Sequence, residues 1–394
     1  MKQGKINIQY IVLQGLFWML FCVNGGFLSF YLQGNGFGNS LIGVITAVFC
    51  TIAFILQPLA GNICDRIEGL TWKRLIIVLG IPYILICILL LIIKSKSLIV
   101  ILFGMIYITT FIYLPLINSA VFAYEKEGVK INFGIARGTG SAMYALMALL
   151  VGDMSRIFGT KIIPLACLIV IILFLAVIAT MPATKKVKQE KEKAQHTNVL
   201  NFITKYPYFS VMLLGVLFMF FSHNIIGTYL LQIIQSLGGD SANLGRAMFI
   251  QAIVEIPVLF TFSVIMKKIK VGNLMILAGV GYIIKAVLYF SSWNIGMIYI
   301  TQFSQIISFA IIAAASVYFT GMVVNEEDQT TGQAFMSGMM SAGTVLGSLF
   351  GGAILDYVGV RALLSVNILL TLIGTSIAIC SVRLIRIKGK HNKV

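Results

Sequence analysis

Unbroken apolar runs of bilayer-spanning length constrain this chain more than any other feature of it. Ile162 to Met181 carries no ionisable side chain other than a thiol, and Leu98 to Leu116 carries no charge at all. A hydrocarbon core of about 30 Å is crossed by roughly 20 residues of helix. Charged residues make up 11% of the chain, against about 25% for soluble domains, so too few exist to cover a water-facing surface. Lipid is therefore the solvent for most of the sequence. Backbone N–H and C=O groups in hydrocarbon need partners within the segment, which makes these runs helices.

Apolar windows and their breaks predict twelve spans, at 9–33, 40–62, 74–94, 97–121, 134–156, 161–181, 207–237, 242–266, 272–291, 295–323, 331–355 and 360–382. The first run continues to about Gln33, too long for a cleaved signal, and a second span follows at once. Lys and Arg set the orientation. With the N-terminus inside, 22 of the 29 basic residues fall on the cytoplasmic side, among them Lys73, Arg74, Lys126, Lys130, the linker lysines and the tail. Lys94, Lys96, Arg156, Lys161, Arg246 and Arg361 fall outside, and Lys285 lies within a span. Both termini are thus expected in the cytoplasm, in a bacterial-type cell (inner) membrane. The net charge of +16 follows from these loops and implies no nucleic-acid partner. Six cysteines scattered singly through apolar segments show neither metal-ligand spacing nor a disulfide framework.

The chain also repeats itself. At an offset of 200, Gly138, Ser141, Ala142, Leu146, Leu149, Gly152 and Gly159 meet Gly338, Ser341, Ala342, Leu346, Leu349, Gly352 and Gly359; at 202, Gln33, Gly36 and Gly43 meet Gln235, Gly238 and Gly245. The only long polar stretch lies midway. The expected organisation is a six-helix bundle over 1–181, a cytoplasmic linker over 182–206, and a second bundle over 207–394 with a basic tail. Parallel six-helix repeats with a midplane site are a known transporter architecture. Small residues in spans 5 and 11 suit close backbone packing.

The loop after span 2 reads Gly61-Asn-Ile-Cys-Asp65-Arg66-Ile-Glu-Gly69, then Lys73-Arg74, and Gly352-Ala-Ile-Leu-Asp356-Tyr-Val-Gly359 echoes it. This resembles the signature loop of the major facilitator superfamily, with a short insertion before Lys73. Phe133-Gly134-Ile-Ala136-Arg137-Gly-Thr-Gly140-Ser141-Ala-Met-Tyr144 is similar to span 5 of lactose permease and its relatives, a pattern that nucleoside and phenylpropionate permeases share. The resemblance implies an all-α integral membrane protein, with twelve transmembrane helices in two pseudo-symmetric six-helix bundles. It implies a conformational latch at Gly61, Asp65, Arg66, Gly69 and Asp356; a plain tight turn with a positive-inside Arg is the competing reading. It also implies substrate contact by Arg137, with Tyr144 in place of a stacking tryptophan and Glu125 as partner to Arg137. Arg137 as a cytoplasmic anchor is the alternative. Asn24, beside Gly25 and Gly26 among span 1 aromatics, adds an amide able to bond substrate.

Charges deep in spans are expensive, about 2.5–3.5 kcal/mol on insertion scales, and stay where they face a cavity, find a partner or work. Glu255 lies mid-span 8 and Lys285 mid-span 9. A carboxylate whose cationic partner comes and goes switches its proton affinity, so the pair reads as a proton-coupling site, or else as a static ion pair. Lactose permease has a Glu and an Arg in the corresponding spans. His223 in span 7 is a further relay residue or a packing histidine. Span 10 holds Gln302, Gln305 and Ser308 but no ionisable group where the permease keeps its proton site.

The resulting expectation is a non-enzymatic secondary carrier, a monomer with no cofactor, whose partners are protons and a small hydrophilic solute. An oligosaccharide or glycoside comes first; nucleosides or aromatic acids are the nearest alternative and drug efflux a more distant one. No phosphate-binding loop, metal motif or sizeable soluble domain appears, which argues against an ATP-driven pump, a membrane enzyme or a sensor.

Overall fold

The computed structural model describes residues 2–67, 69–184 and 199–388, with the side chains of Lys2, Asp65, Arg66, Val199, Leu200 and Lys388 outside that description. The roles expected of the Asp65 and Arg66 side chains, and of Lys185, Lys186, Lys188, Lys191, Lys193, Lys390 and Lys393, lie outside the described residues. What is described is helical, with no strand among the described residues.

Among the described residues, eleven continuous helical stretches are long and apolar enough to cross a membrane. One of them, Phe133–Thr180, has 48 residues, about 72 Å at 1.5 Å per residue and far more than one crossing needs. It breaks at Gly159–Lys161, where Gly159 adopts φ +57, a conformation that glycine takes at little cost. Two helices result, and the membrane helices number twelve among the described residues.

They are α1 (Lys2–Phe21, continued by Cys22–Gly26 and Leu28–Gly34), α2 (Asn39–Arg66), α3 (Trp72–Ile92), α4 (Lys96–Lys126), α5 (Phe133–Phe158) and α6 (Ile162–Thr180). After a short helix at Val199–Lys205 come α7 (Pro207–Ser236), α8 (Ser241–Lys268), α9 (Val271–Phe290), α10 (Ile295–Gln302 and Phe309–Val323), α11 (Gln329–Tyr357) and α12 (Val360–Lys388).

Three interruptions matter. In α1, Cys22–Gly26 forms a π-turn. In α7, Tyr229 leaves helical geometry at φ -111, ψ 20. In α10, a 3-10 turn at Phe303–Ile306 separates the two halves of the span. Broken backbone at membrane depth is tolerated where protein surrounds it, and such breaks commonly mark functional sites.

The helices group into two compact units. The first gathers the described residues of Met1–Phe37, Val48–Lys191 and Ser241–Ile253; in it α1 packs on α5, and α3 packs on α4 and α6. The second gathers those of Gly38–Ala47, Glu192–Asp240 and Val254–Val394; in it α7 packs on α11 and α12, and α9 on α12 and the second half of α10. The first turns of α2 thus belong to the second unit and the first half of α8 to the first. Side chains such as Ile101 and Ile157 lie on the outside of the helices, as a lipid-facing surface requires.

Candidate functional site

The second unit contains a polar relay at membrane depth. Lys285 on α9 is 3% exposed, and its Nζ donates to Gln305 Oε1 at 2.6 Å. Gln305, fully buried in the 3-10 turn of α10, donates through Nε2 to Glu255 Oε1 on α8 at 2.8 Å. The turn is what brings Gln305 between them. Gly281 on α9 sits so close to the backbone of Ile307 and Ser308 that a Cβ there would meet Ile307 O. The two charges are therefore joined through an amide. A primary amide offers both a donor and an acceptor, so one side chain satisfies the cation and the anion together.

His223 on α7 lies beside the relay. Its ring stacks on Phe309 at 4.8 Å and 9°, and meets Tyr282 edge-on at 5.7 Å. Its Nδ1 and the Tyr282 hydroxyl have no hydrogen-bond partner among the described residues. Nearer the C-terminal end of α9 in the same unit, Gln302 donates to Tyr289 Oη at 2.7 Å.

The first unit presents a different chemistry. The Arg137 guanidinium on α5 lies 4.0 Å from the centroid of the Trp18 ring and donates to Ser141 Oγ at 2.8 Å. Closely packed Gly140, where a Cβ would meet the Trp18 ring, lets the indole settle against α5. The Trp18 indole N–H has no partner among the described residues. Trp18 packs in turn on Phe17 and Phe21. The hydroxyl of Tyr144 lies near Gly26, 3.1 Å from where a Cβ would be. Glu125 is exposed and forms no ion pair among the described residues. Asn24 sits differently from what its neighbours suggested. It is fully buried, donates to Tyr83 Oη (2.5 Å) and Thr110 Oγ1 (2.8 Å), and accepts from Cys167 Sγ (3.1 Å). Its polar atoms hold the π-turn of α1 to α3, α4 and α6.

Two glycine seams complete the arrangement. Within the second unit, a Cβ on Gly43 of α2 would meet Ser348 O and Tyr229 Oη, and one on Gly352 of α11 would meet Asn39 O. Asp356 closes this seam: Oδ2 accepts from the Ser40 N–H at 2.6 Å and Oδ1 from Asn39 Nδ2 at 2.9 Å. A carboxylate there satisfies the open N–H groups of the first turn and complements the helix dipole. Within the first unit, a Cβ on Gly245 of α8 would meet Ala148 O, and one on Gly152 of α5 would lie 3.1 Å from Ser241 O. The Ser155 and Ser241 hydroxyls bond at 2.5 Å, and Arg246 pairs with Asp153 at 3.5 Å. The seams correspond residue for residue. Gly43 and Gly245 are the repeat partners offset by 202, Gly152 and Gly352 those offset by 200, and the same offsets relate Ala148 to Ser348 and Asn39 to Ser241. The repeat legible in the sequence is thus a repeat of contacts.

In the loop after α2, Gly69 adopts φ +82 and its carbonyl accepts from Arg74 at 2.5 Å. Gly61 is loosely surrounded, since a Cβ there would meet nothing within 4 Å.

Twelve membrane helices among the described residues make this a multi-pass membrane protein. The chain belongs to the MFS_1-like family, whose model matches residues 10–366. Several solved structures share its fold. The nucleoside transporter NupG aligns with a TM-score of 0.81 at 14% identity, covering 97% of this chain and 99% of that one. A bacterial homologue of the human lysosomal transporter Spinster, in an inward-facing and unoccupied conformation, gives 0.72 at 14% over 97% of each chain. A point mutant of the peptide transporter POT gives 0.74 at 13%, over 96% of this chain and 95% of that one. No characterised protein matches by sequence alone. The protein is a secondary transporter of the major facilitator superfamily and not an enzyme.

Gln305 is the residue joining Glu255 to Lys285, and sequence reasoning gave it no role. It was visible only as a polar side chain in a span lacking an ionisable one. Its neighbours in sequence, Ser304 and Ser308, were the available sign that the span is broken there.

Proposed function

We propose that the protein takes up a small hydrophilic, sugar-bearing solute, an oligosaccharide or glycoside, together with protons. The Glu255–Gln305–Lys285 relay is the observation that carries this reading. In it, Glu255 binds and releases the coupling proton. A hydrogen bond to an ionised acceptor is about twice as strong as a neutral one, so protonating Glu255 loosens Gln305 and, through it, the buried Lys285. His223, whose ring meets Tyr282 of α9, shares the proton in this reading. Arg137 and Ser141 offer hydrogen bonds to hydroxyls, and Trp18 and Tyr144 offer faces for a sugar ring. The halves 1–181 and 207–394 rock about a midplane site, the glycine seams parting as they do. The setting is a bacterial-type inner membrane, with both termini cytoplasmic and the chain acting as a monomer.

A nucleoside is the second reading, favoured by the whole-chain fold match to NupG. It needs the same sugar contacts plus an aromatic face for the base. Uptake into proteoliposomes, screened over labelled oligosaccharides, glycosides and nucleosides, tests both. The expected result is accumulation that follows an imposed proton gradient and collapses with a protonophore. Accumulation indifferent to the protonophore removes the proton and leaves the carrier.

Arg137→Lys probes the binding side. Lysine keeps the charge but loses the planar face and fork that stack on Trp18 and reach Ser141. Two lost contacts of about 1 kcal/mol each correspond to roughly a 30-fold rise in KM, with kcat little changed. An unaltered KM would leave Arg137 an anchor.

A further inference from the structure

Helix α12 carries a buried polar stripe that the Glu255–Gln305–Lys285 relay does not use. Asn367, Thr371 and Thr375 follow at i, i+4 and i+8, and Gly374, Ala378 and Ser381 continue the same face; Asn367, Thr371, Ala378 and Ser381 are fully buried and Thr375 is 3% exposed. Thr371 and Ser381 bond to the backbone carbonyls of Ile368 and Tyr208. Both amide atoms of Asn367 and the Thr375 hydroxyl have no partner among the described residues. A buried polar group without a partner forfeits its bonds to water, and an amide with neither end bonded forfeits most.

The contacts of this stripe place it. A Cβ on Gly215 of α7 would lie 3.0 Å from Gly374 O and 3.2 Å from Ala378 N, while one on Gly374 would lie 3.1 Å from Met219 N. Helices α7 and α12 therefore run antiparallel, with almost no side chain between them. A Cβ on Gly279 of α9 would lie 2.8 Å from both Thr375 Oγ1 and the Met219 methyl, so α9 closes the third side. Asn367 lies seven residues before Gly374, about 10 Å at the helical rise. Since Gly374 faces Gly215 and Met219, that is the level of α7 residues 222 to 226, and His223 within that stretch meets Tyr282 of α9. Unpartnered polar atoms thus recur on all three helices, at Asn367 and Thr375 of α12, His223 of α7 and Tyr282 of α9, and Tyr282 precedes Lys285 by about one turn of α9.

We infer that the α7–α9–α12 seam is a site for internal water, held by Asn367 and Thr375, and that this water connects the Lys285 end of the relay towards the Ser381 end of α12. Buried waters make about three hydrogen bonds each to groups otherwise unsatisfied, and an Asn side chain with two donors and one acceptor oxygen free is suited to hold one. Each proton hop along such a chain breaks one O–H bond and makes another, so nothing is consumed. The hydration stands on the seam alone, whereas its use in coupling rests on the proton-symport reading.

Radiolytic hydroxyl-radical labelling of the full chain in lipid nanodiscs separates the two. Water held in the seam generates radicals beside Met219, which is fully buried. Met219 is expected to be modified roughly tenfold faster than Met147, a buried methionine of α5 (5% exposed), a ratio equivalent to 1.4 kcal/mol. Asn367→Leu is expected to remove that difference. Thr375→Val is the second variant should Asn367→Leu fail to fold, and it is expected to reduce the labelling likewise. In Asn367→Leu or Thr375→Val, solute exchange should persist while gradient-driven uptake slows about tenfold. Labelling of Met219 no faster than Met147, or unchanged in both variants, overturns the water site. Fast labelling with unchanged gradient-driven uptake in the variants overturns its role in coupling. If gradient-driven uptake proves insensitive to Glu255 as well, the symport reading falls and the labelling result stands by itself.

Discussion

Glu255→Gln is expected to abolish gradient-driven accumulation while leaving solute counterflow within a few-fold of the native rate. The amide is nearly the same shape and can still accept from Gln305, so the 2.8 Å contact has a neutral successor. It cannot bind and release a proton. It also removes the anion joined through Gln305 to Lys285, which is 3% exposed, and an uncompensated cation at helix depth costs about 2.5–3.5 kcal/mol. The variant should accordingly be less stable, with a lower Tm. Adding Lys285→Met removes the orphaned charge and should restore much of that stability, because breaking one partner of a buried pair is costlier than replacing both. It should not restore accumulation. That split distinguishes a coupling pair from a static one: if accumulation returns with stability, or never falls in Glu255→Gln, the relay is structural. Gln305→Leu gives an independent reading, since it severs the bridge and leaves both charges in place.

Gly245→Trp is the second large effect, expected to eliminate net transport while solute binding survives. A Cβ at Gly245 would already strike Ala148 O and lie 3.0 Å from the Gly152 Cα. An indole cannot be accommodated there without separating α8 from α5 and breaking the Ser155–Ser241 hydrogen bond. Overpacking of this kind costs about 1–3 kcal/mol or more, and a shift of about 1.4 kcal/mol between conformations changes their ratio tenfold. A cysteine placed at Ser155 should therefore react with a polar thiol reagent at least about tenfold faster in the variant. Gly43→Trp, whose Cβ would meet Ser348 O, should act alike because it occupies the repeat-related position. Gly61→Ala is the control: nothing lies within 4 Å of its Cβ, so the substitution should be silent or slightly stabilising, by about 0.5–1 kcal/mol. Equal labelling in all three variants would show that the seams do not govern access.

Arg137 illustrates how the two levels of information divide. Its residue type and surrounding motif were legible, and so was its resemblance to a substrate-binding position. Its stacking on Trp18, 119 residues earlier in the chain, was not. Glu125 was the partner that the resemblance suggested, yet it is exposed on the last turns of α4. Asn24 was read as a cavity amide because glycines and aromatics flank it, and its hydrogen bonds go instead to three other helices.

The sequence by itself determined the solvent, the number and type of elements and the internal duplication. Hydropathy over about twenty residues is a local property, and in hydrocarbon the backbone has no alternative to the helix. It also marked Glu255 and Lys285, because the cost of a buried charge is visible wherever a charge interrupts an apolar run. Only the tertiary structure decided that Gln305 stands between them, that Asp356 caps a helix 316 residues away, and that the repeated glycines are places where backbones touch. Those contacts depend on how helices of similar composition pack against one another. Small residues permit close approach without naming the partner, so pairing emerges only when the whole set is assembled.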